Sequence, residues 1–204
     1  MQKIKKGKVI FMAGKNYKQK IIFGMDNIHI AKINDDGTFG TIVPILGAKA
    51  CEVSFESSEK IIYADNKPVY NDKRITKGSG KLSVLGLTMD EKALLAGVDV
   101  VKGGIALGAN TVAPNLAVLF AQDKADDGKI LTVIYNVQFT TPSIQAISTE
   151  GEKEEQIAEL EFTCLPDVKD GLFFYTVDST DEAADSTMVS NWFTEVQKPT
   201  SLPA

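Results

Sequence analysis

The order of apolar and polar positions along the chain predicts a protein built mainly of β-strands. In 51–55 and 158–164 every second residue is apolar, which is typical of strands with one buried face. Two apolar runs flank the polar segment 123–128, and this pattern predicts a hairpin. The predicted strands cover 28–33, 51–55, 116–121, 130–137, 158–164 and 172–177.

One short α-helix is predicted at about 89–96. Thr88 and Glu91 have the spacing of a capping box, in which each side chain accepts a hydrogen bond from the other residue's backbone N–H. Gly97 follows as a stop signal. Strands before and after a single short helix indicate a mainly-β (α+β) fold, a two-sheet β-sandwich or partial barrel.

The two ends of the chain differ from the middle in charge and periodicity. Residues 1–20 hold seven Lys and no acid, and 150–185 hold twelve Asp or Glu and two Lys. We expect a flexible basic arm at 1–21, a β domain at 22–178, and an acidic, then extended arm at 179–204. Such ends are either solvated tails or surfaces that meet head to tail. Trp192 and Phe193 in the second arm either anchor it on the core or contact a neighbour.

Composition argues against several classes of function. The formal net charge is −5, and Arg74 is the only arginine beside 21 Lys, so a reader of DNA sequence is disfavoured. A long uncharged stretch, 103–122, is interrupted by polar residues and Pro114, so no membrane span is expected. We expect a soluble protein that is intracellular when made.

Few residues in the sequence are of the types and spacings that are usual in catalytic, metal-binding or phosphate-binding sites. His29 is the single histidine, in a strand where it faces solvent or a subunit contact. Cys51 and Cys164 lie in alternating runs and are predicted to be core thiols. The Gly78–Lys81 segment lacks the first glycine and the final Ser or Thr of a phosphate loop. The acidic clusters lack EF-hand spacing. We therefore expect no catalytic residue, no metal and no cofactor.

Several segments, in their order and spacing, resemble one known family. They are Asp-Asn-Ile-His-Ile-Ala at 26–31, Pro-Ile-Leu-Gly-Ala-Lys at 44–49, Ile-Tyr-Ala-Asp-Asn at 62–66, the strand 80–87 that leads into the helix, the charged run 149–155, and Thr-Cys-Leu-Pro at 163–166. Together they span roughly residues 22–178. The chain resembles the major tail protein of long-tailed phages, of the phi-thirteen type found in Gram-positive bacteria.

This resemblance implies a structural virion protein of the tail. The family fold is the phage tail-tube type, with two packed β-sheets, one flanking helix and a long loop. Six subunits form a ring, and the rings stack into the tube that surrounds the tape-measure protein. The implied partners are further copies of the chain, the tape-measure protein, the tail terminator and the distal tail or initiator proteins. Phage DNA passes through the lumen without specific binding.

Two hypotheses concern the surfaces that such a tube needs. Residues 56–80 form the long loop that reaches a neighbouring subunit, because this polar segment still holds apolar residues that need cover. The candidate interface residues are Ile61, Ile62, Tyr63, Asp65, Asn66, Val69, Tyr70, Trp192 and Phe193. Asp and Glu on one strand face line the lumen, where negative charge lets DNA slide.

Three other interpretations stay open. The first is a ring-forming tail-completion or terminator protein, which would stop at one ring. The second is a carbohydrate-binding β-sandwich, which needs clustered exposed aromatics, whereas this chain has one Trp and five Tyr without a cluster. An enzyme is the third, and the scarcity of chemical motifs disfavours it.

Overall fold

The computed structural model describes residues 17–141 and 155–200, and its architecture is mainly β. A short 3-10 helix, Tyr17–Lys20, precedes the first strand. The strands are β1 Ile22–Ile33, β2 Phe39–Pro44, β3 Ala48–Ala64, β4 Lys67–Val84, β5 Leu116–Lys124, β6 Lys129–Phe139, β7 Ala158–Cys164 and β8 Phe174–Asp178. The helices are α1 Met89–Ala96 and α2 Ser186–Ser190. The predicted mainly-β fold is confirmed.

The eight strands form one antiparallel sheet in the order β2-β1-β5-β6-β7-β4-β3, and β8 pairs with the first half of β6. The sheet is rolled, because β1 and β3 contact each other although they are separated in the pairing order. The expected two packed sheets are thus continuous through β6, which pairs with β7 as well as with β5. The partial-barrel alternative describes this arrangement better than a sandwich of two separate sheets does.

The main core lies inside the roll. It contains the inward-facing residues of five strands, among them Ile30, Leu82, Val118, Val137 and Phe162, together with Leu95 of α1. Gly80 makes room for an aromatic ring there, since a Cβ on this residue would lie 2.4 Å from Cζ of Phe162. Buried Cys164 belongs to this core and half-buried Cys51 packs against it, so the prediction of core thiols is confirmed.

The local predictions for α1 and the central hairpin are also confirmed. The Thr88 hydroxyl accepts from the Glu91 amide at 3.2 Å, the Glu91 carboxylate accepts from the Thr88 amide at 2.7 Å, and Gly97 ends the helix at φ 69°. Ala93, Leu95 and Ala96 form the buried side of the helix. The strands β5 and β6 meet at a turn that includes Asp127, with φ 63°.

The prediction of a long loop at 56–80 is wrong. These residues belong to β3 and β4, whose pairing continues without a loop as far as Ala64 and Lys67. The physical reason is that cross-strand hydrogen bonds hold this segment as a two-stranded ribbon even where neither face is buried. Most of the charged run 149–155 and most of the basic arm 1–21 lie outside the described residues.

Candidate assembly surfaces

The ladder of β3 and β4 extends far beyond the rolled sheet. We call residues 57–75 the distal arm, whose pairs run from Ser57–Ile75 to Ala64–Lys67. In the part of the chain that the structure describes, β4 pairs with β7 only from Gly78 to Val84, so the distal arm has no third strand. Eight residues of β3 at about 3.3 Å each give an arm roughly 26 Å long.

A two-residue turn closes the tip of the distal arm. Asp65 and Asn66 both have positive φ, 50° and 59°. A turn with two positive φ values is of type I′, whose twist matches that of the flanking strands, and Asp and Asn tolerate this conformation better than other residues with side chains. These two interface candidates therefore shape the tip.

The distal arm carries large apolar side chains on both faces. Ile62 lies opposite Tyr70 in the ladder, so these two share one face, and Ile61 points to the other. The exposed fractions are Ile61 41%, Ile62 46%, Tyr63 64%, Val69 60%, Tyr70 54% and Ile75 50%. A two-stranded ribbon alone is marginally stable in water, so cover from a partner would stabilise this element.

Polar side chains on the distal arm form hydrogen bonds and ion pairs with one another. The Asn71 amide donates to Glu59 at 2.6 Å, and the Arg74 guanidinium lies 3.0 Å from Asp72. These contacts are exposed, and such pairs contribute little to stability. Burial of the apolar side chains by a partner would therefore stabilise the arm more than these polar contacts do.

A second surface is the outward side of β3, β4 and β7, which we call the polar face. Glu52, Lys81 and Glu161 lie side by side in one row across the three strands. The next row holds Ser54, Ser79 and Thr163. Lys81 forms an ion pair at 2.6 Å with Glu159, so the positive charge of this surface is matched locally. The polar face is hydrophilic, with acidic residues in excess.

The outward side of β5 and β6 is covered. Residues 179–200, which we call the C-terminal strap, lie across it, and Trp192 is fully buried there with Leu119, Val133 and Tyr135. An extended arm was expected here, but α2 and the turns after it pack the strap against the sheet. The driving force is the burial of the single Trp, since an aromatic of this size contributes a large apolar area.

Polar contacts also fix the C-terminal strap. The Tyr135 hydroxyl donates to the Gln197 carbonyl at 2.6 Å, and the Lys198 ammonium lies 2.5 Å from Asp167 and 2.7 Å from Asp170. Burial alone would lower the pKa of Lys198, but its hydrogen bonds to the two carboxylates outweigh this and raise the pKa.

The interface candidates therefore separate into two groups. Ile61, Ile62, Tyr63, Asp65, Asn66, Val69 and Tyr70 come together on the distal arm. Trp192 instead anchors the strap on its own subunit, and Phe193 packs against His29 with ring centroids 4.6 Å apart and ring planes tilted by 30°. Of the two alternatives for Trp192, the structure therefore shows the anchor on the core. Ile75 is a further exposed apolar residue of the arm that no sequence pattern indicates, because four polar residues separate it from Tyr70.

Three further features of the described residues concern metal binding, nucleophilic chemistry and membrane insertion. Among residues 17–141 and 155–200, no three His, Cys, Asp or Glu side chains are placed to hold a metal ion. Burial and the nearby charge of Glu52 raise the pKa of the Cys51 thiol to about 11, so this thiol is a poor nucleophile at neutral pH. Within the same ranges, no helix has the length and apolar content needed to cross a bilayer.

Comparisons with known proteins give a loose structural likeness to solved structures. Neither a scan of protein-family models nor a search of curated proteins finds a match to the sequence. Among solved structures, the chain is similar to one described as the cryo-EM structure of the anti-feeding prophage cap, a tube-terminating cap. The identity is 12% over 74% of this chain and 88% of that chain, with a TM-score of 0.36. A likeness of this size carries no weight for function.

Proposed function

We propose that the protein is a non-enzymatic structural subunit of a phage tail, and more specifically a tail-tube protein. The observation that carries the proposal is the distal arm, a ribbon that exposes apolar side chains on both faces. Exposure of such an apolar surface to water is unfavourable for a monomer, and surfaces of this kind are typical of contacts between proteins. The resemblance of residues 22–178 to major tail proteins supports the tail assignment.

In this proposal the copies of the chain form hexameric rings, and the rings stack into a tube. The sheet favours association because strands β2 and β3 stand at its two ends in the pairing order. An end strand can add a neighbour's strand, and closure of a ring uses this property. The tape-measure protein would occupy the lumen during assembly, and the terminator and initiator proteins would cap the ends. The protein would reside in the tail of the virion.

We further propose that the polar face lines the lumen. Among residues 17–141 and 155–200 no segment covers this outward sheet surface, whereas the strap occupies the outward side of β5 and β6. Its rows of glutamates and hydroxyls offer few cations to a passing phosphate backbone. Binding of DNA by proteins depends on Lys and Arg contacts, so such a surface lets DNA move.

Negative-stain electron microscopy of the purified protein over a concentration series, with its mass in solution, tests this function. Stacked rings or hollow tubes are the expected result. Closed rings that never stack would instead identify a terminator. A monomer at every concentration, even with a purified tail initiator complex added, would contradict the proposal.

A shortened arm tests whether the distal arm drives assembly. Replacement of residues 58–74 with Asn-Gly joins the opposed pair Ser57 and Ile75 through a two-residue turn. We expect a folded monomer that forms no rings or tubes. The control replaces the polar arm residues Glu59, Lys60 and Lys73 with Ser, which should leave assembly intact. Normal tubes from the shortened chain would show that the arm is dispensable.

A further inference from the structure

Three exposed aliphatic residues lie at the end of the β3–β4 ladder that is opposite to the tip of the distal arm. We call Leu46, Leu85 and Ile157 the end patch; they are 80%, 46% and 43% exposed. The Leu85 amide donates to the Gly47 carbonyl at 2.8 Å, which places Leu85 beside the residue that follows Leu46.

Ile157 joins this group through β7. Val84 pairs with Ala158, so the residues just beyond this pair, Leu85 and Ile157, lie next to each other at the end of the β4–β7 ladder. The ion pair between Lys49 and Glu155, 2.6 Å apart, links β3 to the chain that leads into β7 at the same end. Three separate segments of the chain therefore bring exposed aliphatic residues to the same end of the sheet.

We infer that the end patch is the surface that receives the distal arm of a second copy of this chain. This inference rests on the proposed assembly and identifies the partner surface within it. β3 runs without a break from Ala48, beside the end patch, to Ala64, at the tip of the arm. The two apolar surfaces thus lie at opposite ends of one strand, on the order of 50 Å apart along its length.

This geometry favours a second copy over a different partner. A shift of one subunit along the ladder axis brings its tip onto the end patch of the next, and repetition of that shift builds a stack. Such a contact is heterologous, because it joins two different surfaces, and it does not close after two subunits. Every copy carries both surfaces, so a stack of any length leaves one unpaired surface at each end.

A single contact between a tip and an end patch is too small to be stable without the other subunits of a ring. The apolar tip offers on the order of 500 Å² to a partner, less than the roughly 800 Å² per partner of a stable dimer. One tip in one end patch is therefore weak. Several tips that dock together from a ring reinforce one another, because after the first docking the others are intramolecular events.

Cysteine cross-linking between two variants tests the inference. Tyr63→Cys places a thiol on the tip and Leu46→Cys places one in the end patch. The two proteins are mixed, oxidised mildly, alkylated and separated under denaturing, non-reducing conditions. We expect mixed dimers to predominate over both homodimers. Val168→Cys, at a site that is 90% exposed and outside both surfaces, is the matched control and should give no mixed dimer with either variant.

Each outcome decides the matter. Homodimers of Tyr63→Cys in place of mixed dimers would mean that two tips meet, and the inference would be overturned. A lack of mixed dimers while microscopy shows tubes would overturn the inference but leave the proposed tube intact. Mixed dimers without any tubes would support the inference and contradict the tube.

Discussion

At the scale of single residues, Lys124 shows how a buried charge can join separate parts of the fold. Its side chain is fully buried, and its ammonium lies 3.0 Å from Asp126, 2.7 Å from Asp178 and 2.7 Å from the Thr180 hydroxyl. Burial alone would lower the pKa of Lys124, but the hydrogen bonds to Asp178 and Asp126 outweigh this and raise it. The ammonium thus ties the β5–β6 turn to the end of β8.

Lys124→Met should destabilise the protein by about 2–4 kcal/mol, because the change leaves two carboxylates without the cation that lies between them. Chemical denaturation with urea measures the loss. The control is Lys129→Met, since Lys129 is 41% exposed in its side chain and pairs with Asp123 at 3.2 Å. An exposed pair of this kind should contribute less than about 1 kcal/mol. Equal losses for the two variants would contradict the assignment.

The same ion pairs predict a loss of stability in acid. Burial alone would raise the pKa of Asp178 and of Asp170, but hydrogen bonds from Lys124 and Lys198 outweigh it and hold each pKa below its ordinary value. A lowered carboxyl pKa stabilises the folded state above the unfolded value of about 3.9, and this contribution disappears as the pH falls through the folded pKa.

We therefore expect the urea midpoint of the natural chain to fall when the pH is lowered from neutral to below about 3.9. In the double variant Lys124→Met/Lys198→Met the acid-induced fall should be smaller, because neither carboxyl then has its cation. Denaturation of both proteins at a series of pH values measures the difference. Parallel pH profiles would contradict this account.

At the scale of elements, the sequence predicts best where one face of an element is buried. The alternation in 158–164 matches β7, and the capping box of Thr88 and Glu91 starts α1 at its predicted residue, because burial and capping both leave a local pattern. The distal arm has no buried face to impose alternation, so its polar residues suggest a loop although the backbone is extended. The Asp65–Asn66 turn is the only local signal that could have revealed the hairpin.

The C-terminal strap illustrates the other limit of prediction from sequence. Trp192 stands in a polar segment, and its burial depends on Leu119 and Val133, which are distant in sequence. No periodic pattern could therefore decide between an anchor and an intermolecular contact. The end patch was missed for the same reason, since its residues come from three separate segments.

The emission of Trp192 should not change when the protein assembles. The side chain is already fully buried by its own subunit, so assembly through the distal arm leaves its surroundings as they are. Fluorescence spectra below and above the assembly concentration test this, and a red shift is expected only on unfolding. The matched control is Tyr63→Trp in a Trp192→Phe background, whose emission should shift to the blue on assembly. A blue shift of Trp192 itself would place the strap in the interface.

At the scale of the whole molecule, the rolled sheet presents different surfaces in different directions. The distal arm and the end patch lie at opposite ends of the β3–β4 ladder, and the polar face lies along its outward side. The strap covers the far side, over β5 and β6. In the proposed tube, stacking and the lumen would therefore use separate surfaces of one subunit, so each surface can be changed without the other.

Reversal of charge on the polar face should make assembled particles retain DNA. Glu52→Lys/Glu161→Lys adds four units of positive charge per subunit to one row of this face, while assembly should be unaffected. Retention of duplex DNA at low and at physiological salt measures the effect, and salt should weaken it because binding would depend on phosphate contacts. The control, Glu182→Lys/Glu195→Lys, changes the strap by the same charge. Equal retention by both variants would exclude the polar face as the lumen surface.

The uninterrupted course of β4 also has a mechanical consequence. Any pull on the tip of the arm passes along one strand into the body, where β4 is hydrogen-bonded to β7 from Gly78 to Val84. The load then acts parallel to the strands and falls on all of these hydrogen bonds at once, whereas a load across the strands would break them one after another. In the proposed tube, a subunit held by its arm should therefore resist extension as a shear joint does.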